Sequence, residues 1–168
     1  MDGTLAFIFL LTSLTDMAVE HCPTGCLKPV ERQAYVTTGL HDVRHLGSSI
    51  STEGYISYRM NRAYGPFQPT VAASVAANGA TWVGVGATWE RTFGDLVLMT
   101  SLIPGYYQNG NGPDLGFPLE FRSTIGAGYN FDNGMRLSVT FDHRSNSELG
   151  KVNPGLETYG LQLSIPFN

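Results

Sequence analysis

The chain is poor in charge: only 14% of its 168 residues are Asp, Glu, Lys or Arg, and the net charge is −4. That balance leaves no electrostatic case for nucleic acid, which calls for clustered Lys and Arg. Long helical periodicity is missing as well, so P-loops, Rossmann turns and other helix-based sites have nowhere to sit. Gly84-Val85-Gly86 is a fragment of a glycine-rich pattern inside a predicted strand, where it marks close packing or a bend. The apolar run LAFIFLLTSL over 5–14 is too short to cross a bilayer as a helix. It has the length of the apolar core of an export signal, although no Lys or Arg precedes it and no A-x-A site follows. Cysteine is scarce, with only Cys22 and Cys26 in CPTGC, beside His21. A structural zinc site needs four ligands and no second Cys/His cluster exists, so a local disulfide is expected and no metal.

Glycine and aromatics are plentiful: 20 Gly, and 11% Phe, Trp and Tyr. Such a composition suits many short strands joined by tight turns. A mean hydropathy near zero fits a soluble protein. It fits a transmembrane barrel equally, because strands that alternate apolar and polar residues average out. The expected organisation is an export signal over 1–20, a cysteine-containing lead-in over 21–32, and a single barrel domain over 33–168.

Eight strands are expected, at roughly 33–41, 50–60, 69–78, 81–91, 95–103, 119–131, 134–146 and 156–167. Asn78-Gly79 and Asp132-Asn133-Gly134 are hairpin signals, since Asn and Gly tolerate positive φ. The stretch 104–118 (PGYYQNGNGPDLGFP) reads as a long loop, with Tyr106 and Tyr107 anchoring it at a membrane interface. His41 and His45, with Asp42 and Arg44, read as loop residues at the end of the first strand.

Alternation is clearest in the last three strands. One face carries residues such as Phe121, Ile125, Tyr129, Leu137, Val139, Phe141, Tyr159, Leu161 and Ile165. The other carries Glu120, Arg122, Arg136, Asp142 and Arg144. A soluble barrel turns its apolar face inward, whereas an outer-membrane barrel turns it toward lipid. Charges of both signs grouped on the polar faces suit a paired interior. Aromatics at the strand ends (Tyr129, Phe131, Phe167) suit an interfacial girdle. The expected fold class is therefore all-β, an eight-stranded antiparallel transmembrane β-barrel, with a soluble lipid-binding barrel as the alternative.

The chemistry concentrates between Phe141 and Tyr159, FDHRSNSELGKVNPGLETY. His143 and Ser145 are two apart on one strand and so share a face, their Cα atoms roughly 6.6 Å apart. Glu157 opens the next strand on its apolar phase. Antiparallel pairing through the Asn153-Pro154-Gly155 loop puts Glu157 opposite His143. The three are the side-chain types of a serine-hydrolase triad: Ser145 as nucleophile, His143 as base, Glu157 orienting the imidazole. Asn146 is a candidate oxyanion donor, through its backbone N–H because its side chain points inward. The site would lie on the outside of the barrel near a loop end, where polar groups facing lipid cost little. A lipid substrate follows from that placement.

Four pieces of the chain carry a family resemblance: SLIPGYY at 101–107, LGFPLEFRS at 115–123, HRSN at 143–146 and NPGLE at 153–157. With them, the segment from Ser101 to Phe167 resembles the outer-membrane lipid A 3-O-deacylase (PagL-type) family of Gram-negative bacteria. The resemblance implies a serine esterase that removes the ester-linked 3-hydroxyacyl chain at position 3 of lipid A. It implies no cofactor, and the same roles for His143, Ser145, Glu157 and Asn146. The expected partners are lipopolysaccharide and the outer membrane itself, with a homodimer as one arrangement and no nucleic acid. The rival reading is a non-catalytic outer-membrane barrel with a structural or adhesive role.

Overall fold

In a computed structural model, residues 3–167 are described; Met1, Asp2 and the C-terminal Asn168 of the expected barrel domain lie outside the described residues. An N-terminal helix α1 (Thr4–Asp16) continues into a π-helical turn over Met17–His21. Ten strands follow: β1 (Pro29–Glu31), β2 (Ala34–His45), β3 (Ser48–Arg59), β4 (Arg62–Tyr64), β5 (Gln68–Ala76), β6 (Thr81–Phe93), β7 (Leu96–Gln108), β8 (Leu119–Asn130), β9 (Arg136–Ser145) and β10 (Leu156–Phe167). Eight of them close into an antiparallel barrel in the order β10-β2-β3-β5-β6-β7-β8-β9. The short β1 and β4 pair with each other. Among the described residues, closure leaves the barrel itself no unpaired edge, the condition for a strand protein to sit in lipid.

The barrel is inverted relative to a soluble one. Outward residues such as Leu40, Val85, Val139 and Leu161 are exposed, and the large polar residues are inside. The lumen holds a network of ion pairs beside a small apolar cluster that includes Val43, Trp82, Ile103, Leu115 and Leu156. Arg122 donates to Asp142 at 2.7 Å and to Glu53 at 3.0 Å. Arg144 also pairs with Glu53, and Thr158 donates to Asp142 at 2.6 Å. Nearer the other end, Arg136 donates to Glu90 at 2.7 Å, and Arg59 pairs with the same carboxylate. Each of these charges is matched by an opposite charge and hydrogen bonds, which offsets its desolvation. Tyr129 and Phe131 contact edge-on at 5.4 Å, Tyr58 and Phe167 at 6.0 Å, and all four side chains are exposed. These pairs form an aromatic girdle at the end where the barrel's first strand begins and its last strand ends.

Several strands run past their expected limits. β2 continues to His45 and turns at Leu46-Gly47, both with positive φ. His41, Asp42 and Arg44 are therefore strand residues, not loop residues. His41 is fully buried in the lumen, accepting a 2.8 Å hydrogen bond from Arg122 at Nδ1. β7 likewise absorbs Pro104–Gln108, which reads as loop because proline and glycine are poor strand formers. Pro104 has no N–H to donate, and the β6–β7 ladder is interrupted there, between the Gly84↔Gly105 and Ala87↔Leu102 pairs. The glycines opposite allow close approach: a Cβ on Gly86 would lie 2.2 Å from Leu102 O. Tyr106 faces outward as an interface anchor should, but Tyr107 is turned into the lumen, its hydroxyl donating to Pro113 O at 3.1 Å. Alternation along the longer strand fixes that difference.

At the N-terminus, Thr4–His21 forms one apolar helical stretch, longer than the run read from sequence and long enough by length and composition to cross a membrane. Thr15 and Asp16 interrupt the apolar run in sequence, and Met17, Ala18 and Val19 resume it on the same helical stretch. Cys22 and Cys26 are joined by a disulfide.

Candidate active site

The β9–β10 register decides the site. Glu157 pairs with His143, and Leu156 with Arg144. On the far side of β9, His143 pairs with Ser123 of β8 and Ser145 pairs with Phe121. Glu157 pairs in turn with Arg44 of β2. One continuous row on the outer face thus reads Leu102, Ser123, His143, Glu157, Arg44, from β7 round to β2. Ser145 sits one step toward the loop, on the same face and strand as His143. Directly across paired strands, side chains are about 4.5–5.5 Å apart at Cβ, within reach of imidazole–carboxylate and imidazole–hydroxyl contact. The structure thus brings His143, Ser145 and Glu157 to one patch on the outer wall, as the strand phase predicts.

Local geometry supports the patch. The loop 146–155 closes the hairpin with Ser147 and Glu148 at φ 51° and 63° and Gly155 at φ 72°. Asn146 ties this loop down from inside. Its side-chain amide donates to Leu115 O at 2.7 Å and to Val152 O at 2.8 Å, joining the β7–β8 and β9–β10 loops. Its backbone N–H donates to the Asn153 side-chain oxygen at 3.1 Å. The inward side chain matches expectation, and the N–H proposed for the oxyanion is held by Asn153. Gly155 lies against the imidazole: a Cβ there would sit 2.9 Å from His143 Cε1. His45 donates through Nδ1 to Gly155 O at 3.1 Å and so braces the same turn from β2. Below the row, the Phe141 and Tyr159 rings pack at 4.9 Å on the lipid-facing surface.

Position along the barrel matters too. The loops at the site end include the two long ones, 109–118 and 146–155, while the opposite end carries the tight turns at Gly94-Asp95 and Asp132–Gly134. Short turns mark the periplasmic end of such barrels and long loops the extracellular end. The patch therefore lies at the long-loop end of the barrel wall.

Helix α1 runs along the outside of β6–β8. Thr12 reaches Thr100 at 3.3 Å, and Asp16 accepts from Trp89 at 3.1 Å and Arg91 at 3.2 Å. Its first turn overlies the site. Gly3, Leu5 and Ala6 close a cleft of about 180 Å³ against Leu102, Phe121, Ser123, His143 and Ser145. His143 is consequently only 6% exposed.

Sequence reasoning passed over Ser123, Arg44, Asn153 and Gly155 as parts of this patch. Ser123 and Arg44 could have been found by extending alternation across neighbouring strands, since both share the outward phase of His143. Asn153 and Gly155 act through loop conformation, for which no periodic signal exists. Among the described residues, no group of three or more His, Cys, Asp or Glu side chains could hold a metal ion.

The family model described as "Lipid A 3-O-deacylase (PagL)" matches residues 45–166. The Lipid A deacylase PagL of Pseudomonas aeruginosa is 43% identical over 53 residues, 32% of this chain and 31% of that protein. The aligned stretch thus spans less than a third of that relative's length. Among solved structures, the outer membrane enzyme PagL superposes with a TM-score of 0.62 at 20% identity, covering 79% of this chain and 99% of that one. A de novo designed transmembrane β-barrel reaches 0.58 at 13% identity, covering 82% of this chain and all of the design. These two structures share the barrel. With more than half of its length matched by the family model, the chain belongs to the lipid A 3-O-deacylase (PagL) family.

Proposed function

We propose that this protein is a lipid A 3-O-deacylase of the Gram-negative outer membrane, a serine esterase working from the outer wall of its barrel. The observation that carries this reading is the pairing of Glu157 with His143, with Ser145 two residues along on the same outward face. A polar trio of hydrolase types at lipid level has a clear use when the scissile bond is itself in the lipid layer. Interior sites of soluble esterases would require the substrate to leave the membrane.

In the proposed reaction, Ser145 Oγ attacks the carbonyl carbon of the ester as His143 takes the hydroxyl proton. Glu157 orients the imidazole and stabilises its protonated form. The tetrahedral intermediate collapses, the bond to the sugar oxygen breaks, and His143 returns the proton to that oxygen. Water, deprotonated by His143, then attacks the acyl-enzyme and releases the 3-hydroxy fatty acid, restoring the serine. The negative oxygen of each intermediate needs donors already in place. Asn146 can supply its backbone N–H once that group leaves Asn153, so a small shift of the 146–155 loop is part of the reaction.

Residues 1–20 are proposed to be an export signal that the mature barrel lacks. While attached, its first turn lies over His143 and Ser145, so its removal uncovers the site.

The test is direct. Purified barrel in detergent micelles should release 3-hydroxy fatty acid from lipid A and leave the amide-linked chains in place. Intact lipid A after long incubation with folded protein would favour the non-catalytic barrel.

A further inference from the structure

The outward row through the site is chemically lopsided. Its β7–β8 end is apolar or neutral, Leu102 and Ser123; its β2 end is the cation Arg44. Arg44 is the register partner of Glu157, which is the partner of His143. With one cross-strand step near 5 Å, the Arg44 Cβ lies about 10 Å from that of His143 along the wall.

The guanidinium is held but not neutralised. One N–H of Arg44 donates to Gly47 O at 2.6 Å, across the β2–β3 turn. Its Cζ lies 5.8 Å from the Tyr159 ring centroid. Among the described residues it makes no ion pair with any carboxylate, Glu157 included. Arg carries five N–H donors in a planar fork that matches phosphate oxygens bidentately, so most of its donor capacity is unspent. Its half-buried position at the site end puts that capacity at headgroup level.

We propose that Arg44 grips the anomeric phosphate of the glucosamine whose ester is cleaved, and so sets which sugar and which ester face Ser145. This rests on the deacylase reading above. The chemistry fits the spacing: that phosphate and the scissile ester stand on the same sugar, one ring apart. With the ester carbonyl at Ser145, the ring spans the Glu157 position and presents its phosphate toward β2. A single charged fork beside the triad thereby orients a substrate whose acyl chains alone would slide along an apolar wall. Phospholipids offer the same phosphate chemistry without the sugar, and the test separates the two.

The experiment compares wild type, Arg44→Gln and Arg44→Lys in detergent micelles. The substrates are lipid A with its anomeric phosphate and lipid A from which that phosphate has been removed. Wild type should lose about 10–100-fold in kcat/KM without the phosphate, mainly through KM, the worth of a charge-assisted fork. Arg44→Gln should treat both substrates alike, and Arg44→Lys should keep part of the difference. An Arg44→Gln variant that slows both substrates equally, and still discriminates as wild type does, would mean that Arg44 acts on Glu157 instead. Such a result overturns the proposal. Binding is read independently on the Ser145→Ala background, where phosphorylated lipid A should bind about tenfold more tightly, a preference that Arg44→Gln removes. Equal binding of the two lipids overturns the grip whether or not deacylation occurs. Failure of wild type to deacylate, with phosphate-dependent binding intact, overturns the deacylase reading alone. Phosphatidylglycerol that competes as well as phosphorylated lipid A would reassign Arg44 to any lipid phosphate and overturn its role in choosing the sugar.

Discussion

Glu157 and His143 are register partners across β9 and β10, and both face away from the barrel axis. Their relation is set by backbone pairing, not by a flexible loop. Rigid strands hold a catalytic pair closer to its working geometry than loops do. The loop that closes the hairpin then decides how the imidazole is seated.

Gly155 is where that seating can be tested. Its φ of 72° and the 2.9 Å approach of a would-be Cβ to His143 Cε1 leave no room for a side chain. Gly155→Ala should cost about 1–2 kcal/mol in backbone strain, too little to unfold a barrel closed by eight strands. It should push the imidazole off its position and lower kcat by about tenfold to a hundredfold with little change in KM. Heat-modifiable migration on gels checks the fold, and initial rates check the chemistry. An Ala variant with wild-type kcat would separate the turn from the imidazole.

Ser123 is a second hydroxyl beside His143, on the opposite side from Glu157. The register places it across the strand pair, whereas Ser145 is on the strand of His143 itself. The nucleophile assignment expects Ser123→Ala to keep activity within about tenfold of wild type, while Ser145→Ala loses at least a thousandfold. A fluorophosphonate probe should label the Ser123→Ala barrel and spare the Ser145→Ala barrel. The reverse labelling pattern would move the nucleophile to β8.

The N-terminal helix gives a third prediction. Its first turn closes the cleft over His143 and Ser145. Protein recovered from outer membranes should begin downstream of the apolar segment, near residue 20, as read by N-terminal sequencing. A refolded chain that retains residues 1–20 should hydrolyse ester substrates several-fold more slowly than one without them. Mature protein that keeps the helix, with equal rates for both forms, would contradict the export-signal reading.

Much of this was legible in sequence for one physical reason: strands have a period of two, which sorts their residues onto two faces. Leu137, Val139 and Phe141 on one phase and Arg136, Ser138 and Asp142 on the other define the two faces of β9. Charges of both signs on the polar faces, with aromatics at the strand ends, turn the apolar face outward. From that, the outward placement of His143, Ser145 and Glu157 follows. Strand ends were less legible. His41 to His45 and Pro104 to Gln108 carry turn-forming or polar residues, yet they sit in strands because tertiary pairing outweighs local propensity. His41 shows the point: its partners, Arg122 and Gln162, come from β8 and β10, far away in the chain. The contacts of Asn146 with Leu115 and Val152 were illegible for the same reason, since they depend on how two loops meet.

The central claim is that Ser145 of an outward-facing triad cleaves one ester of lipid A. The most direct measurement is the mass of lipid A from a Gram-negative host that expresses wild type, Ser145→Ala, His143→Ala or Glu157→Ala, each confirmed as folded in the outer membrane. Wild type should shift the lipid A by the mass of one 3-hydroxyacyl chain. The Ser145→Ala and His143→Ala hosts should show unmodified lipid A, with Glu157→Ala leaving at most a trace of product, since the acid member of a triad is the least costly to lose. Full conversion of lipid A by the Ser145→Ala barrel would contradict the account.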